Sequence, residues 1–140
     1  MEAEEKRRAV EKARAGLLPF TLATCPWYRP NWHHEVLAQT IQRVVDGTDR
    51  FVIVELPPQH GKSELISRRA PAWVLGRNPD ERIIAASYSA DLATAMSRDV
   101  RRIMDSDEYR EMFPATRLPS DRDPNFSLTA SYFEIPGHRG

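Results

Sequence analysis

Residues 51–64, Phe-Val-Ile-Val-Glu-Leu-Pro-Pro-Gln-His-Gly-Lys-Ser-Glu, constrain the fold of this chain more than any other stretch. The first six are apolar except for Glu55, and residues 52–54 are β-branched, which predicts a strand buried on both faces of a parallel sheet. Pro57 and Pro58 cannot donate to a sheet ladder, so the strand should end there. Apolar positions resume beyond Ser63 at helical spacing. The stretch therefore predicts a strand, a tight loop and the start of a helix.

Gly61, Lys62 and Ser63 match the second half of a phosphate-binding loop. In such a loop, backbone N–H groups at a helix start surround the phosphates, the lysine reaches the terminal phosphates, and the hydroxyl is a ligand of Mg²⁺. The full pattern has a glycine five positions before Gly61, where this chain has Leu56. The tripeptide also occurs in ordinary surface turns, but the predicted strand before it and helix after it favour a nucleoside triphosphate site.

The atypical loop also resembles that of a known family. Residues 56–64, Leu-Pro-Pro-Gln-His-Gly-Lys-Ser-Glu, closely resemble the variant Walker A loop of tailed-phage terminase large subunits, the ATP-driven motors that package viral DNA. Four further segments agree in order and spacing: Pro-Asn-Trp-His-His at 30–34, Pro-Ala-Trp-Val-Leu-Gly-Arg at 71–77, Arg-Ile-Ile-Ala-Ala-Ser-Tyr-Ser at 82–89, and Ser-Arg-Asp-Val-Arg at 97–101. The resemblance covers about residues 26–114. One departure is Gln59, where the family often has an arginine thought to sense or stabilise the γ-phosphate.

The resemblance implies an α/β fold of the P-loop NTPase class, RecA- and terminase-like, with a parallel sheet, flanking helices and an incomplete C-terminal side. It implies a helical and irregular lead-in at residues 1–30 and the N-terminal half of an ATPase domain at residues 31–140. The implied cofactors are ATP and Mg²⁺, with Ser63 as the metal ligand. The residues expected around the nucleotide are His34, Pro58, Gln59, His60, Gly61, Lys62, Ser63 and Glu64. For Glu64 the alternative is a first-turn acid favoured by the helix dipole.

The same resemblance implies partners and a location. The partners are double-stranded DNA, the terminase small subunit, the portal protein and, in the intact motor, further copies of the chain; the location is the host cytoplasm, at the procapsid portal. Two other functions stay open. One is a fragment of another P-loop DNA-translocating ATPase or helicase, and the other is a non-catalytic module that binds DNA or partner subunits. Nucleotide binding measured with and without Mg²⁺ separates these functions.

Charge and composition limit where DNA would bind. The 140 residues include twenty basic and twenty acidic side chains, so the net charge is zero and any DNA contact needs a local patch. A helix is predicted to begin after Ser89 or Asp91, and its arginines would track a phosphate backbone or form a solvated face. These arginines are Arg98, Arg101 and Arg102. Cys25 is the only cysteine, and no apolar stretch approaches the length of a membrane span, so we expect a soluble intracellular protein.

The composition of the lead-in predicts a solvated helix over residues 2–14 that stops at Gly16, and then an irregular segment over residues 17–30. We expect Trp27 and Trp32 to pack against the fold. The neighbouring His33 and His34 contact the adenine or begin the next helix, at residues 35–45; adjacent histidines diverge on a helix, so we reject a zinc site.

Beyond the loop, residues 62–75 should form a helix that kinks or restarts at Pro71 and closes at Gly76. Residues 82–87 should form a second strand, and residues 132–135 a short one. ATP hydrolysis also needs a carboxylate at the end of another apolar strand to hold Mg²⁺, and usually a second one to orient the attacking water. No such strand follows residues 82–87, and no nuclease domain is present. We therefore expect the N-terminal part of a terminase ATPase domain.

Overall fold

Six α-helices and one π-helical segment form the regular structure of residues 1–139, the part of the chain that the computed structural model describes. In chain order these elements are α1 (Glu2–Ala15), α2 (Leu17–Thr24), α3 (Trp32–Val45), the π segment (Glu64–Arg69), α4 (Ala70–Arg77), α5 (Ala90–Met104) and α6 (Asp107–Met112). Within these residues the β-structure is limited to one isolated antiparallel bridge, between Leu128 and Phe133.

The prediction of an α/β fold with a parallel sheet is therefore wrong. Residues 51–57 and 81–87, which contain the two predicted strands, form neither helix nor strand. Their side chains are not buried: Phe51 and Ile84 are each 94% exposed and Ile53 is 89% exposed. The residue types favour strands, but β-propensity mostly reflects packing against neighbouring strands, and a single segment without a partner does not form a strand. The strand predicted at residues 132–135 is likewise reduced to the Leu128–Phe133 bridge.

Three helices, α1, α3 and α5, lie close to where the sequence predicts helices, although α3 begins three residues earlier. Gly16 ends α1, and its N–H donates to the Lys12 carbonyl. Asn31 caps the start of α3, and Ser89 caps α5 by accepting a hydrogen bond from the Leu92 N–H. The buried faces of α3 and α5 follow the apolar periodicity of the sequence, with Leu37 on the first helix and Val100 on the second.

The prediction that residues 17–30 are irregular is wrong over its first half, which forms α2. Pro19 lies in the first turn of this helix, where its missing N–H would have no intrahelical partner anyway. Leu17, Phe20 and Thr21 are buried, so α2 contributes directly to the core. The short helix α6 was not predicted either; its Ser106 accepts a hydrogen bond from the Tyr109 N–H as an N-terminal cap.

The sequence predicts that the helix after the loop kinks or restarts at Pro71, and the structure shows a restart there. The preceding π segment is more widely wound, and the Ala70 N–H bonds to the Leu65 carbonyl five residues earlier. Pro71 then lies in the first turn of α4, where it removes no required hydrogen bond. The helix passes through Gly76 and ends at Arg77, one residue beyond the predicted stop.

The core lies where α1, α2, α4 and α6 meet. The Tyr109 ring packs edge-on against Phe20 with centroids 6.1 Å apart, and its hydroxyl donates to the Ala72 carbonyl at 2.9 Å. Trp73 is fully buried and donates from Nε1 to the Arg14 carbonyl at 3.1 Å. These contacts anchor α4 to α1 and to α6. Because the π segment runs directly into α4, the same core also fixes the start of the helix that follows the loop.

Candidate phosphate-binding loop

The loop between residue 57 and the π segment is a tight turn with two left-handed backbone conformations. Gln59 has a φ of 63° and Gly61 a φ of 74°. The His60 ring closes the turn locally, because its Nδ1–H donates to the Pro58 carbonyl at 2.8 Å. Pro58, Gln59 and His60 are all exposed. The structure thus places these predicted nucleotide contacts together on one exposed turn that leads into the helix.

Gly61 is the one loop position where a larger residue does not fit. A Cβ atom there would lie 2.8 Å from His34 Nε2, closer than real Cβ contacts, and 3.0 Å from the Tyr28 hydroxyl oxygen, tighter than most of them. The positive φ also disfavours any residue with a side chain. Tyr28 of the lead-in and His34 of α3, about 30 positions earlier, therefore press directly against the loop backbone.

The loop leaves a set of hydrogen-bond donors without backbone partners. Within residues 1–139, no backbone acceptor receives the N–H groups of Gly61, Lys62 or Ser63, as is usual for the first residues of a helix. The half-buried Lys62 enters no ion pair with the described residues, and Ser63 is exposed. Three N–H donors, an ammonium group and a hydroxyl are therefore collected at one helix start, an arrangement that suits an anion.

Glu64 is engaged by arginines rather than left free. Its carboxylate pairs with Arg69 at 2.8 Å and with Arg68 at 3.3 Å. Arg68 also reaches Asp99 on α5 at 2.7 Å, and Arg69 donates to the Thr24 carbonyl at 2.9 Å. This network joins the π segment to α2 and α5 and neutralises the carboxylate nearest the loop. Sequence reasoning missed the pair of Glu64 with Arg68, although these residues have the four-residue spacing of a helical ion pair. The contacts of Arg68 with Asp99 and of Arg69 with Thr24 join distant residues and leave no local pattern.

His34 lies behind the loop, with both ring nitrogens used by the protein. Nδ1 accepts the Asn31 N–H at 2.9 Å as part of a capping box at the start of α3, and Nε2 is 2.8 Å from the His60 carbonyl oxygen. The ring is 6% exposed and stacks at an angle against Tyr28, with centroids 5.0 Å apart. The helix-start role that the sequence offered for His34 is thus present. The spacing of Asn31 and His34 is the signal that could have shown the cap.

The tryptophans near the loop are not packed, so that prediction is wrong. Trp27 is 66% exposed and Trp32 is 71% exposed. Trp32 contacts His33 edge-on at 5.7 Å, and His33 lies 6.1 Å from the His60 ring. Tyr28 is the aromatic residue of this region that is buried. Burial raises its pKa to about 12, and the nearby Cys25 thiol and Glu64 carboxylate act in the same direction.

The three arginines of α5 differ in their surroundings. Arg98 and Arg102 are exposed, and Arg102 pairs with Asp99 at 3.5 Å. Arg101 is partly buried, and its Nε has no hydrogen-bond partner. Arg98 and Arg102 therefore present their charges to solvent on one face, whereas Arg101 is partly covered. The interpretation of Arg98, Arg101 and Arg102 as a DNA-binding set stays a prediction.

Residues 1–139 contain neither a metal-binding cluster nor a membrane-spanning helix. No group of three or more His, Cys, Asp or Glu side chains among them is placed to hold a metal ion. Among the described helices, none combines the length and apolar character required to cross a membrane.

A turn rich in free N–H donors, followed by lysine, a hydroxyl and a helix, defines a candidate anion-binding protein. The family to which it belongs follows from a comparison with family models. Residues 53–124, just over half of the chain and including the loop, the π segment, α4, α5 and α6, match the model described as terminase large subunit, T4likevirus-type, N-terminal. The chain belongs to this family of terminase large subunits. No curated protein and no solved structure gives a significant match to it.

Proposed function

We propose that residues 58–64 bind the phosphates of ATP together with Mg²⁺. The observation that supports this most is the set of unpaired N–H groups at Gly61, Lys62 and Ser63, beside an ammonium group without a partner among the described residues. The nearest carboxylate, Glu64, is neutralised by Arg68 and Arg69 and would not repel a polyanion. The residues present therefore fit a triphosphate.

Each side chain of the loop has a distinct role in this proposal. Lys62 contacts the terminal phosphates, and the N–H groups of residues 61–63 hold the remaining phosphate oxygens. The Ser63 hydroxyl oxygen is a ligand of the metal ion. When bound, Mg²⁺ neutralises the charge on the phosphate oxygens. Pro58, Gln59 and His60 form the outer wall of the loop, and His34 supports it from behind.

We further propose that the chain is the nucleotide-binding portion of the motor that packages DNA into the procapsid. Membership of the terminase large-subunit family supports this role. It also supports double-stranded DNA as the polymer on which the motor acts. The terminase small subunit, the portal protein and other copies of the large subunit are its proposed partners, in the host cytoplasm.

The first prediction tests the phosphate loop. Lys62→Ala removes a charge-assisted contact of about 1.5–3 kcal/mol, so the affinity for MgATP measured by titration calorimetry should fall by about tenfold or more. The matched control is Lys12→Ala, which removes a lysine from the last turn of α1 and should leave the affinity unchanged. Ser63→Ala should reduce the difference between affinities measured with and without Mg²⁺. Equal affinity in Lys62→Ala and the parent would overturn the phosphate assignment.

A further inference from the structure

The His34 ring is held in one tautomer by its two neighbours. The Asn31 N–H points at Nδ1, so that nitrogen must be an acceptor without a proton. On the opposite side of the ring, Nε2 faces the His60 carbonyl oxygen, which can only accept. A neutral imidazole satisfies both neighbours only when its proton is on Nε2. His34 is therefore a fixed donor to the backbone of the loop.

This hydrogen bond sets the direction of the peptide between His60 and Gly61. The described peptide bonds are trans, so the carbonyl of His60 and the N–H of Gly61 point in opposite directions. Because the carbonyl is drawn towards His34, the Gly61 N–H is directed away from the His34 ring. The next peptide is fixed separately, since the Gly61 carbonyl accepts the Leu65 N–H at 3.1 Å within the helix. The helix therefore fixes the peptide after Gly61, but it does not fix the orientation of the Gly61 N–H.

His34 is itself firmly held. The ring is buried, lies 3.9 Å from the His33 ring by centroid, and contacts Tyr28. Asn31 and the first turn of α3 fix its position, and α3 packs against both α2 and the π segment. Its Nε2 is so near Gly61 that a Cβ there would come within 2.8 Å. A rigid donor at this distance leaves the loop backbone little freedom to rotate the peptide.

We propose that His34 is a positioning residue that presets the Gly61 N–H for a phosphate oxygen. The proposal rests on the phosphate-binding function proposed for residues 58–64. His34 touches no phosphate in this arrangement and acts only through the His60 carbonyl. His34 lies outside residues 53–124, so α3 contributes to the loop although the family match does not include this helix.

Two neutral amide variants separate this role from helix capping. In His34→Gln, the side-chain oxygen can accept the Asn31 N–H, as glutamine does in a capping box, while the amide nitrogen donates to the His60 carbonyl. In His34→Asn, the oxygen still accepts the Asn31 N–H, but the shorter amide nitrogen falls one bond short of the carbonyl. The two variants have the same charge and the same amide group. They differ in whether that group reaches the His60 carbonyl.

The affinity for MgATP is the first readout. His34→Gln should bind within about twofold of the parent, and His34→Asn should bind about five- to tenfold more weakly, the range expected when one hydrogen bond is removed. Urea unfolding should show both variants folded, because both retain the cap, with His34→Asn the less stable of the two because it lacks the bond to the His60 carbonyl. If the two variants bound MgATP equally, His34 would be a helix cap only.

The second readout needs no nucleotide, so it separates failure of this proposal from failure of the phosphate site. Long-range ¹H–¹⁵N NMR spectra of the parent should show the proton on Nε2 of His34 and none on Nδ1. The Gly61 amide signal should keep its chemical shift and narrow line in His34→Gln, and should shift and broaden in His34→Asn. An unchanged Gly61 signal in His34→Asn would overturn the positioning role. A parent that bound no MgATP, yet showed these spectral differences, would overturn the phosphate site and leave the loop contact established.

Discussion

Gly61 combines two constraints that can be separated by mutation. Its φ of 74° disfavours any residue with a Cβ, and a Cβ would also meet His34 Nε2 at 2.8 Å. Gly47 has a similar φ of 77°, but a Cβ there would meet nothing within 4 Å. Gly47 is therefore a matched position at which only the backbone conformation opposes a side chain.

We predict that Gly61→Ala destabilises the protein more than Gly47→Ala. The left-handed conformation costs about 1–2 kcal/mol at either position, and forcing a methyl group against His34 and Tyr28 adds about 1–3 kcal/mol at Gly61 alone. Urea unfolding of the two variants measures the difference in free energy of unfolding. Equal destabilisation would mean that the lead-in does not press on the loop. Gly61→Ala should also bind MgATP more weakly, while Gly47→Ala should not.

Tyr28 gives a prediction about alkaline pH. Its folded pKa, raised to about 12 mainly by burial, exceeds the ordinary value of 10, so the folded state keeps the phenol proton to higher pH than the unfolded state does. The stabilisation is complete below pH 10 and is lost as the pH rises towards 12. Tyr28→Phe should therefore show a shallower fall of the free energy of unfolding between pH 10 and 12. Parallel curves for parent and variant, measured by urea unfolding, would contradict the buried phenol. Tyr109, whose pKa is also raised by burial, contributes equally to both curves.

Among the elements, the helices were predictable because their information is local. Helix-favouring composition with a stop at Gly16 predicted α1, helical spacing of apolar residues predicted α3 from residue 35, three residues after its observed start, and Ser89 marked the start of α5. The absence of the strands was not predictable from local sequence, since a strand forms only when it pairs with a neighbouring strand. The β-branched run at residues 52–54 indicates what the segment prefers, but nothing within residues 1–139 pairs with it. In α2 the local information misled, because Pro19 is a helix breaker in the interior and harmless in the first turn.

The exposed arginines of α5 support a prediction about DNA. Arg98→Glu combined with Arg102→Glu should weaken duplex binding equally for all sequences, because phosphate contacts read no bases. It should also flatten the dependence of log affinity on log salt by about 0.9 for each phosphate that the protein no longer neutralises. The control is Arg7→Glu combined with Arg8→Glu on α1, which changes the net charge by the same amount at exposed sites. Equal salt slopes for the two double variants, measured by fluorescence anisotropy, would show that the α5 arginines are only a solvated face.

On the scale of the whole molecule, the fold predicted from the sequence is wrong, while the binding role of the loop residues stays a prediction. Loop residues 58–64 were identified from Gly61, Lys62 and Ser63, which are contiguous, and the structure places them on one turn at a helix start. The supporting contacts could not be predicted. The bond from His34 to the His60 carbonyl and the bond from Arg69 to the Thr24 carbonyl depend on how α3, α2 and the π segment pack. The core formed by Phe20, Trp73 and Tyr109 depends on the same packing.

Two carboxylates lie near the loop in sequence, and neither is placed to assist ATP hydrolysis. Glu64 is bound by Arg68 and Arg69, so its oxygens are not free to hold a metal ion. Glu55 is exposed in the irregular segment before the loop. Within residues 1–139, no cluster of three potential metal ligands exists at all. Phosphoryl transfer depends on positioning and on stabilisation of charge, for which an acid that holds the metal ion and a residue, usually also an acid, that orients the attacking water are needed.

We therefore predict that the purified 140-residue chain binds ATP but releases no phosphate above background. Steady-state phosphate release should be measured with Mg²⁺ in excess, on the same sample in which calorimetry has established binding, so that an inactive preparation is not mistaken for an inactive site. The Lys62→Ala variant should release phosphate at the same background rate, because background release does not occur at the loop and therefore does not depend on Lys62. Phosphate release by the parent that disappears in Lys62→Ala would contradict the prediction, and would mean that a carboxylate of this chain reaches the metal ion after nucleotide binding. Glu64→Gln would then be the first variant to test, since release from Arg68 and Arg69 is the shortest route by which a carboxylate could approach Ser63.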